Sequence, residues 1–190
     1  MIRDPFYKKI IELNKEMYSA SSSLTATHPF SSYFYQWPFM KKPIWYWSEK
    51  DNWASGNIYL FGNLVIWLFV LFSVAAGIIL FFSEKFSRIV SPFLNMFLFG
   101  FFLNLLPYFF VKRVTFLYHY LPSLIFGILI FVLLWEKIPS FYRFKIPQKA
   151  YYGIFGIILL FFLAFTPITY GFLIPEKISS YYQKIIGIIN

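Results

Sequence analysis

The sequence predicts an all-α integral membrane protein: four transmembrane helices preceded by an interfacial amphipathic helix and an ordered, aromatic-rich loop. Three observations lead there. Of 190 residues, 59% are hydrophobic and 25% aromatic while only 13% are charged, more apolar surface than one soluble core of this size can bury. Four runs without a charged residue are each long enough to cross a hydrocarbon layer of roughly 30 Å as a helix, and nearly all of the charges collect in the first 51 residues and in the short breaks between those runs. Tryptophan and tyrosine crowd the approach to the first run, where side chains with an apolar body and a polar edge settle among headgroups.

Taken in order, Asp4-Pro5 reads as a helix start. Phe6, Ile10, Ile11, Leu13 and Met17 then oppose Lys8, Lys9, Glu12, Lys15 and Glu16, the pattern of a helix lying in the membrane interface. The apolar stretch within it is too short, and too often interrupted, for a secretory signal. From Ser21 the chain becomes rich in Ser, Pro and aromatic residues, with Trp37, Trp45, Tyr46, Trp47 and Trp53 ahead of the first span. An ordered surface loop is expected, its aromatics forming an interfacial belt, with stacking against a sugar as the alternative. Residues 1–57 thus make one unit and 58–190 a transmembrane region, with spans at about 58–82, 92–111, 115–135 and 151–174. Ser91-Pro92 predicts the cap and first residue of the second span. Pro122 predicts a kink in the third, because it removes a backbone donor. Asn63, Asn95 and Asn104 are expected to hydrogen-bond between helices.

The formal charge of +9 points to anionic lipid or a lipid phosphate rather than nucleic acid, since the basic residues form no stripe on a soluble module. No cysteine is present, which excludes disulfides and thiol catalysis. Two histidines far apart in sequence, without acidic or thiol ligands beside them, predict no metal site.

Three segments carry a more specific message. The first runs from Phe6-Tyr7-Lys8-Lys9 through Glu12-Leu13-Asn14-Lys15-Glu16-Met17 to Leu24-Thr25-Ala26-Thr27-His28-Pro29-Phe30-Ser31-Ser32, closing on Gln36-Trp37-Pro38-Phe39. The second is Gly62-Asn63 with Trp67 one turn later. The third is Arg113-Val114-Thr115-Phe116-Leu117-Tyr118-His119-Tyr120-Leu121-Pro122, and Thr166-Pro167 with Tyr170-Gly171 adds a weaker fourth. Together they resemble the protein O-mannosyltransferase family, which moves mannose from a polyprenyl (dolichyl-type) phosphate onto Ser or Thr of proteins. The first segment is similar to the family's helix followed by its His-x-x-Ser-Ser and Trp-Pro loop. Leu64 stands where the family's Gly-Asn-Pro pattern has proline.

The resemblance implies the family's carboxy-terminal four-helix membrane region. Its acidic catalytic pair has no counterpart here, so no catalytic residue is assigned in this chain, and the acid is expected from a missing amino-terminal part or a related chain. The implied donor is lipid-phosphate-mannose, the acceptor a protein, and no cofactor is expected. Lys112 and Arg113, held near the headgroups, would bind the donor phosphate through charge-assisted hydrogen bonds, the alternative being basic side chains that only anchor helix ends. His119, one helical turn after Thr115, would face the donor phosphate or the acceptor hydroxyl, or else be an interhelical histidine. His28, Ser31, Ser32, Trp37, Tyr118 and Tyr120 would form the substrate loop. His28 could instead cap the following turn, and Ser31 and Ser32 could satisfy local backbone groups.

If so, the His28 loop and Arg113 share the non-cytosolic face of a plasma membrane or endoplasmic reticulum membrane. That orientation leaves six of the 17 Lys and Arg on the cytosolic side and eleven opposite, against a simple positive-inside count. Upstream membrane helices are therefore expected to deliver the basic stretch, and the isolated chain is expected to insert poorly or inverted. The competing reading is a non-enzymatic or degenerate membrane protein that binds a lipid phosphate or a partner transferase. A transporter has little support, because the spans hold no acidic residue.

Overall fold

The structure, a computed structural model, describes residues 5–23 and 27–189, so the expected cap at Asp4 and the Leu24-Thr25-Ala26 part of the first segment lie outside the described residues. Helix α1 spans Phe6–Ser22 and buries none of its side chains against the rest of the chain. A 3-10 turn at Phe34–Phe39 leads into strands β1 (Ile44–Lys50) and β2 (Ala54–Leu60). Four long helices follow, α2 (Leu64–Phe81), α3 (Glu84–Leu105), α4 (Leu121–Tyr142) and α5 (Gln148–Tyr170). The two-residue strand β3 (Ile174–Pro175) and helix α6 (Glu176–Ile189) close the chain. Each of α2 to α5 carries an apolar stretch long enough to cross a membrane, in agreement with the expected fold class.

The aromatic loop is more structured than expected. β1 and β2 form an antiparallel hairpin that β3 extends in the order β1-β2-β3, and residue 57 falls inside β2. Ile58, Tyr59 and Leu60 therefore belong to a strand and not to the first span. An uncharged run with so few polar residues does not reveal its period, so strand and helix merge in it. The break between them is Gly62-Asn63. The Asn63 side-chain oxygen accepts hydrogen bonds from the amides of Val65 (3.1 Å) and Ile66 (3.3 Å), capping α2. Its amide group donates to the Ile158 carbonyl of α5 at 2.9 Å, the expected bond between helices. Asn104 instead donates to Gly100 of its own helix.

Two proline readings need correction. The backbone is helical from Glu84 through Ser91, and Pro92 lies inside α3, whose N-cap position is Ser83. The apolar stretch does begin at Pro92, but the helix extends past it into polar sequence. Pro122 sits in the first turn of α4, where the amide it lacks would have no helical acceptor, and it makes no kink. Before it, the link from α3 is longer than a tight turn: a 3-10 turn at Leu106–Phe110, an extended stretch with Lys112 and Arg113, and a second 3-10 turn at Leu117–Tyr120. Thr115 and His119 therefore do not share a helical face.

Among the four, α4 is the most buried and α5 the least. Gly100 lies under the Phe126 ring and Gly127 against Val70, so small residues let α3 and α2 close on α4. Because the spans alternate in direction, residues 27–63, 106–120 and 171–189 gather at one end, here the loop end, and 143–147 lie at the other. Helix α6, beyond the last expected span, packs along the hairpin and α5. Ile186 and Ser179 are buried, and the Tyr182 hydroxyl donates to the Ala164 carbonyl at 2.6 Å.

Candidate functional site

Trp37 is the centre of the loop end. Its side chain is fully buried, its indole N–H donates to Ser32 Oγ (2.9 Å), and its carbonyl accepts from the Trp67 indole N–H (2.9 Å). Ser32 in turn is tied to the α3–α4 link. Its amide donates to the Thr115 carbonyl at 2.9 Å, and Thr115 Oγ1 donates back to the Ser32 carbonyl at 2.7 Å. Two loops distant in sequence are thereby joined by charge-free hydrogen bonds that water does not reach, where breaking either partner leaves a costly orphan.

The two histidines take part in this fastening. His28 Nδ1 accepts from the Phe30 amide at 3.2 Å, the local cap foreseen as its alternative role, and its ring meets Phe116 edge-on at 5.1 Å. His119 Nδ1 lies 3.1 Å from the Phe116 nitrogen and 2.9 Å from its oxygen. Its ring stacks on Tyr118 at 4.2 Å and on Trp37 at 5.8 Å, with Tyr108 edge-on at 5.0 Å. His119 Nε2 has no protein partner among the described residues. Near Tyr118, burial first and then the Tyr118 phenol hold the Tyr46 hydroxyl above its ordinary pKa, so it stays a neutral hydrogen-bonding group at physiological pH.

A cleft of about 290 Å³ opens where the loops meet. Thr27, Ser31, Ser32 and Tyr33 form one wall, and Tyr108, Lys112, Arg113 and Thr115 the other. A second hollow of about 370 Å³, between the end of α1 at Tyr18, Ser21 and Ser22 and the segment from Pro107, shares Lys112 and Arg113. Both cations are exposed. Neither forms an ion pair among the described residues, where the pairs are Lys50–Glu176 and Lys137–Glu136, and no carboxylate lines either hollow. Such a site attracts anions.

Residues 6–185 match the family profile described as the C-terminal four TMM region of protein-O-mannosyltransferase. The chain belongs to the protein O-mannosyltransferase family. Dolichyl-phosphate-mannose–protein mannosyltransferase 1 of Saccharomyces cerevisiae is 31% identical over 183 residues, covering 87% of this chain and 22% of the relative. Protein O-mannosyltransferase 1 of Drosophila pseudoobscura is 30% identical over 193 residues, covering 87% and 20%. Among solved structures, the S. cerevisiae protein O-mannosyltransferase Pmt1–Pmt2 complex bound to the sugar donor superimposes with a TM-score of 0.71 at 29% identity, covering 90% of this chain and 25% of that one. The chain thus spans about a fifth to a quarter of the length of these relatives, and it is an integral membrane protein of this family.

Of the residues singled out from the protein O-mannosyltransferase resemblance, Lys112, Arg113, Ser31 and Ser32 meet at one cleft. His119, Tyr118 and His28 stand beside it, linked to its wall through Tyr108 and Phe116. Trp37 and Tyr120 are interior: Tyr120 is packed between Trp67 and Phe101. Thr27, Tyr33 and Tyr108 were not foreseen. Tyr108 follows Pro107, a helix-ending signal that marks where α3 gives way to the site.

Proposed function

We propose that this chain forms the donor-phosphate side of a transferase active site, in which mannose passes from polyprenyl-phosphate-mannose to Ser or Thr of an acceptor protein. The observation that carries the reading is that two cations, Lys112 and Arg113, without an ion-pair partner among the described residues, line a carboxylate-free cleft at one end of a membrane bundle. In the transfer, the acceptor oxygen attacks the anomeric carbon, the bond to the phosphate oxygen breaks, and the phosphate takes the electron pair. Charge that develops on that oxygen is stabilised by a guanidinium and an ammonium already in place. His119, anchored through Nδ1, offers Nε2 to the phosphate or the acceptor hydroxyl. The cleft itself supplies no base for the acceptor proton, so that role falls to a carboxylate from another segment or a related transferase chain.

The loop end faces the non-cytosolic side in this reading, and α1 lies in the headgroup layer with Phe6, Ile10, Leu13 and Met17, all exposed, turned toward the acyl chains. The test is co-expression with an amino-terminal transferase part carrying the acidic pair, followed by measurement of mannose transfer to protein. Arg113→Ala is expected to lower kcat by about 100-fold or more. Transfer that survives unchanged removes Arg113 from the mechanism. Binding of lipid phosphate without turnover in any combination would establish instead a non-enzymatic lipid-phosphate binder.

A further inference from the structure

A second and larger cleft, of about 490 Å³, lies at the loop end between the hairpin and α6. Its floor is one face of the sheet. The ladder pairs Trp45 with Tyr59, Ser48 with Asn57 and Lys50 with Ser55, and its register shifts between Trp45 and Trp47. Opposed residues in an antiparallel ladder point to the same side. The bulge at Tyr46 is thus what turns Trp45 to the face of Ser48 and Lys50; strict alternation would send it to the other. Its wall is α6, through Glu176, Ser179, Ser180 and Gln183, whose spacing is that of a single helical face. Asn57 Nδ2 donates to Ser179 Oγ at 3.2 Å and ties wall to floor.

The lining selects the ligand. Its one cation, Lys50, is neutralised by Glu176 at 2.6 Å, so the cleft offers phosphate no free positive charge, unlike the cleft beside Arg113. What it does present are the rings of Trp45, Tyr59 and Phe30, together with Ser48, Ser55 and Gln183, whose side chains make no hydrogen bond to the protein among the described residues. Aromatic faces for an apolar C–H surface, with neutral and acidic acceptors around them, suit a pyranose, and the volume is that of a small-ligand site.

We infer that the cleft between the hairpin and α6 is a binding subsite for a neutral hexose. Phe30 at its rim touches both His28 (5.9 Å) and Trp45 (6.3 Å), and the next residue, Ser31, lines the cationic cleft. Only the biological use rests on the transferase reading: the subsite would hold a hexose already carried by an acceptor protein while a neighbouring hydroxyl meets the donor.

The test uses the full chain in lipid nanodiscs and measures binding by saturation-transfer NMR, with methyl α-mannoside and a Ser/Thr peptide with and without one O-linked mannose. Saturable binding of the mannoside and the glycopeptide is expected, weakened about tenfold, or about 1.4 kcal/mol, by Trp45→Ala. Trp45 is 43% exposed, so its loss leaves the fold intact, and Gln183→Leu, on the opposite wall, gives an independent reading. Absence of saturable binding, binding unchanged in both variants, or equal binding of the unmodified peptide overturns the inference. Neither donor nor transfer enters the measurement, so its result and that of Arg113→Ala can fail separately.

Discussion

A methyl group on Gly62 would lie 2.2 Å from the six-membered ring of Trp67, so the indole can rest there only over a glycine. That contact positions the Trp67 N–H against the Trp37 carbonyl, and through Trp37 it reaches Ser32 and the cleft. Gly62→Ala is expected to cost about 1–3 kcal/mol by overpacking and to lower the thermal midpoint in detergent; an unchanged midpoint would show that the indole is free to move. Gly62, Asn63 and Trp67 were visible as a pattern in the sequence. Their separate duties, space, cap and hydrogen-bond donor, were not, because each is defined by an atom elsewhere in the fold. The same holds for His28 and His119. Their chemistry made them conspicuous, while the backbone groups that occupy each Nδ1 belong to local turns that spacing alone did not disclose.

At the scale of elements, prolines and polar residues mark boundaries whose meaning depends on position. Pro122 opens α4 instead of bending it, so Pro122→Ala is expected to change stability by less than about 1 kcal/mol, where loss of a kink-forming proline from a helix interior would shift it by about 3 kcal/mol; thermal unfolding of the two forms decides between them. Helix α1 was legible from its periodicity, since amphipathic spacing needs no partner to be recognised. Its seating in the interface has a direct check: Ile10→Glu with Met17→Glu should weaken association of an α1 peptide with anionic vesicles at least tenfold, each lost apolar side chain being worth about 1.5–3 kcal/mol. Equal association would place α1 away from the lipid. The hairpin and α6 were the elements missed. Their residues are short, aromatic and mixed in polarity, and they become a strand pair and a packed helix only by covering one another.

For the whole molecule, the absence of cysteine makes topology directly measurable with single reporters. In cells that also supply an amino-terminal part of a family member, Tyr35→Cys is expected to react with an impermeant maleimide from outside the cytosol, and Lys145→Cys only after permeabilisation. The reverse pattern would invert the orientation, and labelling of both from one side would contradict the alternation of spans. Residence in the membrane, the number of spans and the family were decided by the sequence alone, because hydropathy and ordered motifs are properties of the chain before it folds. Which residues meet was decided by tertiary structure. Ser31 and Ser32 reach Lys112 and Arg113 only because four helices of alternating direction return both loops to one end, where Trp37 and Thr115 join them. The bulge that aims Trp45 at α6 likewise depends on a register between strands, a relation that no local stretch of sequence contains.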